Sequence, residues 1–392
     1  MIAQTISARP SAAPSAKKKR TASPKKIVLL PGDGIGPEVT RVAAAVLRTC
    51  AAEGGYSFDF TEMPFGGAGI EADGEPLPQA TLAACLDADA ILLGAVGGPR
   101  WESRPQGQRP EAGLLGLRKS LGLYINLRPV RLRTALAGIS PLRPERAKSI
   151  DIEIVRELAG GIYFGEHGQE TVDGVERAWD VETYTAPEIE RVAQYAFARA
   201  EARTQRVASV DKANVLTSSA LWRRTVTRLA ARHPDVKLEH MYVDNAAMQL
   251  VLNPSQFDVI VTSNMFGDIL SDGAAALVGS IGLIPSMSLG FGPSLYEPIH
   301  GSAPTLAGKD VACPVGSILS AAMLLNESLG LAVEAAAVDT ALDRVLERGF
   351  RTADIAEPSG QLIGCARFGE LLNAELRATL KRQSAAGKAG GA

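Results

Sequence analysis

Hydrophobic positions fall into short apolar runs separated by amphipathic stretches, and their spacing predicts alternating strands and helices. Lys26–Leu30 (KIVLL) and Ala88–Gly94 (ADAILLG) are apolar runs of strand length. Further strands are expected near Tyr56–Met63, over the extended Leu123–Val130, and over the alternating Asp151–Leu158. Val207–Asn214, Lys237–Val243 and Gln256–Thr262 complete that set. Helices are expected near Pro78–Leu86, Glu111–Leu121 and Pro187–Arg203, and over Pro314–Leu329, Leu331–Gly349 and Arg367–Lys381 at the end of the chain. Residues 166–184, charged and glycine-containing, read as a hairpin. Strands alternating with helices argue for a largely parallel sheet covered by helices. No internal repeat is present.

Two stretches invite misreading. Pro31–Val39 (PGDGIGPEV) follows a strand, but its glycines run GxGxG with Pro37 where a dinucleotide fingerprint needs the third glycine. The turn still offers backbone N–H groups to an anionic or ribose-like group. Gly273–Tyr296 carries no charge and is long enough to span a bilayer, yet it contains Pro285, Pro293, glycines and serines and has no basic flank. It reads as buried core and loop.

The chain has 392 residues, room for two domains, and a net charge of −2, which gives no reason to expect nucleic acid as a partner. Cys50, Cys85, Cys313 and Cys365 match no zinc or CxxC spacing, and the four histidines form no HExxH. Free thiols fit a reducing compartment, hence a cytoplasmic location. Residues 1–24 are Ala/Ser/Pro-rich, basic and free of acidic residues, and are expected to be a disordered tail. The same composition would suit an organelle transit peptide, but without an apolar core it is no secretory signal. The tail after Gln383 is low-complexity.

The candidate chemistry centres on Ser263–Asp272 (SNMFGDILSD), just past the strand ending at Thr262. On a helix Asp268 and Asp272 would share one face, and such a like-charge pair calls for a cation or a basic partner. Oxygen donors of this kind suit Mg²⁺ or Mn²⁺. Alone, an aspartate pair at this spacing is most often a solvated helix face. Other reactive residues, however, fall at strand ends or helix faces. Arg118, Arg128 and Arg156 can make bidentate contacts to carboxylates, Asp244 can join the metal ligands, and Tyr163 and Lys212 can move protons. Together they describe a site for a small polycarboxylic hydroxy acid and a metal.

The run from Lys26 to about Leu372 resembles the β-decarboxylating dehydrogenases, and within them the 3-isopropylmalate dehydrogenase family most closely. LLPGDGIGPEV, LLGAVGGPRW, RPEAGLLGLRKSLGLYINLRP, IVRELAGGIYFGE, SVDKANVL, YVDNAAMQL, TSNMFGDILSD and EPIHGSAP occur in that family's order. The resemblance implies a bilobed α/β fold, distinct from a Rossmann dehydrogenase, with helices on a mixed, largely parallel sheet. One domain would comprise 25–123 plus 279–382, the other 124–278, with 383–392 a flexible tail. It implies a homodimer with shared active sites and NAD-dependent oxidative decarboxylation of 3-isopropylmalate to 2-oxo-4-methylpentanoate, in leucine biosynthesis.

By position, Arg118, Arg128 and Arg156 would hold the substrate carboxylates, and Glu111, Leu114, Leu115 and the partner's Val215 the isopropyl group. Asp268 and Asp272 would hold the metal, with Lys212 and Asp244 supplied by the partner subunit. Lys212 would take the hydroxyl proton and Tyr163 would protonate the enol. Ile35, Gly282, His300, Gly301, Ser302 and Ala303 would contact NAD. At Thr305 the family's NAD users have an aspartate, and at Cys313 an asparagine, so cofactor affinity and the choice of NAD over NADP are in question here. Cys365–Gly369 also departs from the family's usual Thr-x-Glu-Met-Gly. A sibling acting on another 3-substituted malate, tartrate or D-malate, and a specialised-pathway or regulatory paralogue, stay open as alternatives.

Overall fold

The structure is a computed structural model that describes residues 23–147 and 149–389. In chain order the elements are β1 (Lys25–Gly32), α1 (Gly36–Gly54), β2 (Phe58–Glu62), α2 (Gly67–Asp73), α3 (Gln79–Leu86), β3 (Ala90–Ala95), α4 (Pro110–Ser120), β4 (Leu123–Arg131), α5 (Pro144–Ala147) and β5 (Asp151–Glu157). A hairpin of β6 (His167–Val172) and β7 (Val175–Asp180) precedes α6 (Ala186–Glu201), β8 (Arg206–Asp211), α7 (Thr217–Ala230), β9 (Lys237–Tyr242), α8 (Val243–Leu252), β10 (Val259–Thr262) and α9 (Asn264–Leu277). Then follow β11 (Pro285–Gly290), β12 (Ser294–Pro298), α10 (Val315–Glu327), α11 (Ala332–Glu347), the short β13 (Phe350–Arg351) and β14 (Gln361–Leu362), and α12 (Cys365–Ala389).

Ten strands form one sheet in the order β2-β1-β3-β12-β11-β4-β5-β10-β8-β9. Both flanks are parallel, and the three antiparallel pairings fall in the middle, between β12, β11, β4 and β5. Strands buried on both faces need continuous apolar runs, and β3 is buried at every position. α1, α10, α11 and α12 pack together over the β1 side, while α6 and α7 cover β5, β10 and β8. A second, smaller core lies where Leu117 of α4, Leu121 just past its end and Cys85 of α3 meet Leu30 and Leu93. The lead-in to α6 is fixed by a capping box between Thr185 and Glu188.

The uncharged stretch holds more than core and loop, because β11 and the start of β12 lie in it; without charge alternation their pairing left no periodic trace. The strand expected to reach Val243 ends at Tyr242, so Asp244 opens a helix instead of closing a strand. Likewise Lys212 lies just beyond β8, which ends at Asp211. The last helix runs to Ala389, well past Lys381 and through most of the expected tail. The reading of residues 1–24 falls almost wholly outside the described residues. Among the described residues no helix is long and apolar enough to cross a membrane.

The glycine turn after β1 is spent on the fold. Its Asp33 N–H donates to Ala95 O (2.8 Å), Ile35 N–H to Ser302 O (2.8 Å) and Gly36 N–H to Asp33 O (2.9 Å), so these amides are not free for an anion. The turn thereby pins the Ser302 loop against the end of β1. Gly34 has φ +59°, and a Cβ there would lie 2.0 Å from Ser302 O.

Two expectations follow from this packing. Gly34→Ala should destabilise the protein by on the order of 2–3 kcal/mol in urea unfolding, through left-handed backbone strain and displacement of the Ser302 loop. All four cysteines are free and buried, and burial pushes Cys50, Cys85 and Cys365 up to about 12. Since the thiolate is the reactive form, a thiol reagent at pH 8 should leave the native protein unmodified and titrate all the cysteines once denaturant is added.

Candidate active site

α9 carries Asp268 and Asp272 one turn apart, facing the ends of β4 and β5. Arg156 Nη1 ion-pairs with Asp268 Oδ1, which Arg128 Nη2 also approaches at 3.2 Å, while Arg128 Nη1 lies 3.4 Å from Asp272 Oδ1. Tyr163, on a 3₁₀ turn over Gly161–Tyr163, donates its hydroxyl to Asp268 Oδ2 at 3.1 Å. The Arg156 guanidinium lies 5.7 Å from the Tyr163 ring centroid. Thus five of the residues singled out in the sequence meet at one place.

Both guanidiniums are buried, and other groups complete their hydrogen bonding. Arg128 Nε donates to Asn126 Oδ1 (2.8 Å) and Nη1 to Ser271 Oγ (2.7 Å). Arg156 donates from Nε and Nη2 to Asn264 Oδ1 (3.0 and 2.8 Å). Burial, followed by the like charge of Arg128, brings Arg156 down to about 10, and burial also lowers Arg128. Arg156 is still protonated at neutral pH. Burial works to raise Asp268, but Arg156 and Arg128 outweigh it and hold this carboxyl below the usual range. Asp272, reached by Arg128 alone, is raised by burial, with the charge of Asp268 adding to the effect. Burial and then Asp268 hold the Tyr163 phenol in its protonated form beyond the ordinary tyrosine range.

Arg118 comes from α4 and ion-pairs with Glu297 of β12 at 2.7 Å rather than with the α9 carboxylates. Its Nε is buried without a partner, a donor suited to an incoming carboxylate. Glu111, Leu114, Leu115 and Arg118 follow one another at positions i, i+3, i+4 and i+7 of α4, so they line a single stripe that ends at the arginine.

Lys212, Val215 and Asp244 lie elsewhere. Lys212 Nζ ion-pairs with Asp244 Oδ1 at 2.7 Å, and Val215 projects into solvent from the same turn. No hydrogen bond or ion pair among the described residues joins this group to Asp268 or Asp272. A single chain therefore presents two aspartates to a cation, with no third acidic, imidazole or thiol ligand close by among the described residues. The donor set fits a hard divalent ion: both ligands are oxygen, Asp268 is kept ionised, and the half-exposed Asp272 feels a repulsion that a cation would relieve.

The expected cofactor residues gather around the Ser302 loop. His300 is buried and held neutral, its pKa lowered by burial; Nδ1–H donates to Gly301 O at 3.0 Å, leaving Nε2 a buried acceptor with no partner. An acceptor so placed fits a ribose hydroxyl. Ile35 is buried beside the loop and tied to Ser302, and Ala303 has φ +37°. Gly282 packs against Cys313, where a Cβ would meet Cys313 Cβ at 2.8 Å and Asp354 Oδ2 at 2.9 Å. Cys313 is a buried thiol, raised by burial. Thr305 is exposed.

Asn126, Asn264, Ser271, Glu297 and Asp354 were not singled out in the sequence. An asparagine inside the apolar Tyr124–Leu127 run was the available signal for Asn126. Asn264 and Ser271 flank the aspartates, but nothing local marks them, and Asp354 is brought in by the last third of the chain.

A sequence model described as isocitrate/isopropylmalate dehydrogenase matches residues 26–372. The chain is 55% identical over 352 residues to a 3-isopropylmalate dehydrogenase of Oleidesulfovibrio alaskensis, covering 89% of this chain and 98% of that one. It is 54% identical over 350 residues to one of Gloeobacter violaceus, covering 88% and 97%. Among solved structures, an isocitrate dehydrogenase from Methylococcus capsulatus matches with TM-score 0.81 at 33% identity, over 90% of this chain and 99% of that one. An apo β-decarboxylating dehydrogenase from Thermococcus kodakarensis matches with TM-score 0.74 at 36% identity, over 90% and 96%. With a matched model spanning most of the chain, relatives this similar over nearly their whole length, and a buried arginine cluster set against paired aspartates, the chain belongs to the isocitrate/isopropylmalate dehydrogenase family and is a decarboxylating dehydrogenase.

Proposed function

We propose that this enzyme oxidises and decarboxylates 3-isopropylmalate, giving 2-oxo-4-methylpentanoate in leucine biosynthesis, with NAD and Mg²⁺ or Mn²⁺. The observation that carries the substrate is the α4 stripe: Leu114 and Leu115 lead directly to Arg118. Two leucines suit an isopropyl substituent, whereas a carboxylate-bearing substituent in that place would call for a basic or polar group. Aliphatic pockets discriminate by only about 1–3 kcal/mol per methylene, so related 3-alkylmalates would be slower substrates rather than excluded ones.

In this reading Arg118, Arg128 and Arg156 hold the two carboxylates and fix which face of C2 is presented. Lys212 of a second copy takes the C2 hydroxyl proton as the hydride leaves C2. The bond from C3 to its carboxylate then breaks, CO₂ departs, and its electron pair becomes the enolate. Tyr163 gives its phenolic proton to C3, and its neutral form is the one the site favours. When bound at Asp268 and Asp272, the cation supplies Lewis-acid polarisation of the C2 oxygen, and NAD, held near His300, accepts the hydride.

A homodimer is supported by the exposed edge itself. Met248, Val251 and Leu252 of α8 and Ile269 of α9 are exposed apolar side chains, on the two helices that carry Asp244 and the aspartate pair. Burying that face against a second copy would bring Lys212, Asp244 and Val215 to the partner's cluster. The two lobes, 25–123 plus 279–382 and 124–278, would meet where β11 pairs with β4. Four free thiols support a reducing, cytoplasmic location. NAD is preferred over NADP in this reading because Thr305 and Leu306, after the His300–Pro304 loop, offer no cation to an added phosphate.

Purified protein with Mg²⁺ should form NADH from 3-isopropylmalate and keep only a small fraction of that rate with isocitrate or with NADP; a higher rate with either would overturn the assignment concerned. Tyr163→Phe and Lys212→Met should each lower turnover about 100-fold or more. Mixing the two inactive variants under conditions that exchange subunits should restore roughly a quarter of the wild-type rate, because half of the random dimers carry one intact site. Sites built within one chain would give no recovery.

A further inference from the structure

Asn264 is the first residue of α9, fully buried, and its side chain joins two parts of the site. Oδ1 accepts from Nε and Nη2 of Arg156, at 3.0 and 2.8 Å. Nδ2 donates to Gly160 O at 2.9 Å, immediately before the turn that carries Tyr163. A guanidinium only donates and a carbonyl only accepts, so this amide orientation is forced. The backbone N–H of Asn264 donates in turn to the buried Tyr184 Oη at 2.9 Å. Gly160 is held from its other side too, its N–H donating to Glu157 Oε2 at 2.9 Å. Since Arg156 and Tyr163 both contact Asp268, the contacts close a ring from Asn264 through Arg156, Asp268, Tyr163 and Gly160 back to Asn264.

We propose that Asn264 is a positioning residue, locking the carboxylate-binding guanidinium of Arg156 and the turn that carries Tyr163 into one rigid unit. The proton donor is thereby held at a fixed place relative to the bound acid, which is what an oriented proton transfer to C3 requires. The amide provides an acceptor for the guanidinium and a donor for Gly160 O on two separate atoms of one short side chain. Aspartate keeps the first and loses the second, and alanine loses both. The inference rests on the proposed role of Tyr163.

The test is steady-state turnover of 3-isopropylmalate by the full-length enzyme and its variants, with the unfolding temperature followed alongside. Asn264→Asp keeps an acceptor for Arg156 but sets an oxygen against Gly160 O. It should lower kcat about tenfold or more while KM for 3-isopropylmalate stays within about threefold. Asn264→Ala should lower kcat and raise KM together. In a Tyr163→Phe background, Asn264→Asp should cost less than about a further twofold in kcat, because both changes act through one group. Tyr184→Phe, which frees the Asn264 backbone without altering the amide, should show the same non-additivity if Asn264→Asp does not fold. Additive losses of kcat in the double variant, or equal rises in KM for Asn264→Asp and Asn264→Ala, would overturn the positioning role. Wild-type turnover by Tyr163→Phe alone would overturn both this inference and the reading of Tyr163 on which it rests.

Discussion

Two buried guanidiniums, Arg128 and Arg156, set the terms on which the centre of this molecule can fold. Removing one partner from such a buried charge costs about 3–5 kcal/mol, so each must be matched on nearly every donor. Asn126, Ser271, Asn264 and Asp268 supply those matches, and all but Asn126 lie on α9. The helix that presents the acidic pair is thus also the helix that makes the cationic pair tolerable. Even Gly267 of this helix is constrained by this: a Cβ there would lie 2.6 Å from Arg156 Cγ, so the arginine stem occupies the place of a side chain.

The sheet order follows the same requirement. β4 runs antiparallel to both β11 and β5, which sets Asn126 opposite Arg156 in register. From there Asn126 accepts from Arg128 and donates to Ser286 of β11 at 2.7 Å. The polar chain therefore crosses from one half of the sheet to the other at the point where the strand direction reverses. Open α/β sheets place ligands where their strand order changes, and here the crossing is itself wired to the arginines.

Much of this was legible from the sequence. Strand–helix alternation follows from hydrophobic spacing, and the strand runs at Lys26, Ala88 and Gln256 lie where β1, β3 and β10 form. Arg128, Arg156, Asp268 and Asp272 were readable as several charges gathering near strand ends, and the family resemblance joined Tyr163 to them. Most of what escaped is neutral, Glu297 and Asp354 excepted. β11 and β12 lie in a stretch with no charge to mark a solvent face, so their burial on both sides left no alternation. Asn264 and Ser271 complete the hydrogen bonds of arginines more than a hundred residues away, and Asn126 ties its near neighbour Arg128 to Ser286 on a distant strand. The glycine turn misled in the opposite direction, since its amides look free in sequence and are used up by Ala95 and Ser302 in the fold.

The two aspartates, alike in sequence, are unlike in the folded chain. Asp268 has one oxygen shared by Arg156 and Arg128 and the other held by Tyr163, which keeps it ionised and leaves it little further valence. Asp272 meets a single guanidinium at 3.4 Å, is half exposed, and is pushed toward protonation by burial and by its neighbour's charge. A cation arriving from solvent would therefore find Asp272 the more available ligand and would gain most by stabilising its charge. With one carboxylate committed to the arginines, this chain offers a hard cation few ligands, and water and the oxygens of a bound acid would fill the remaining positions. Asp244, exposed on α8, is engaged with Lys212 in this chain and is not one of those ligands.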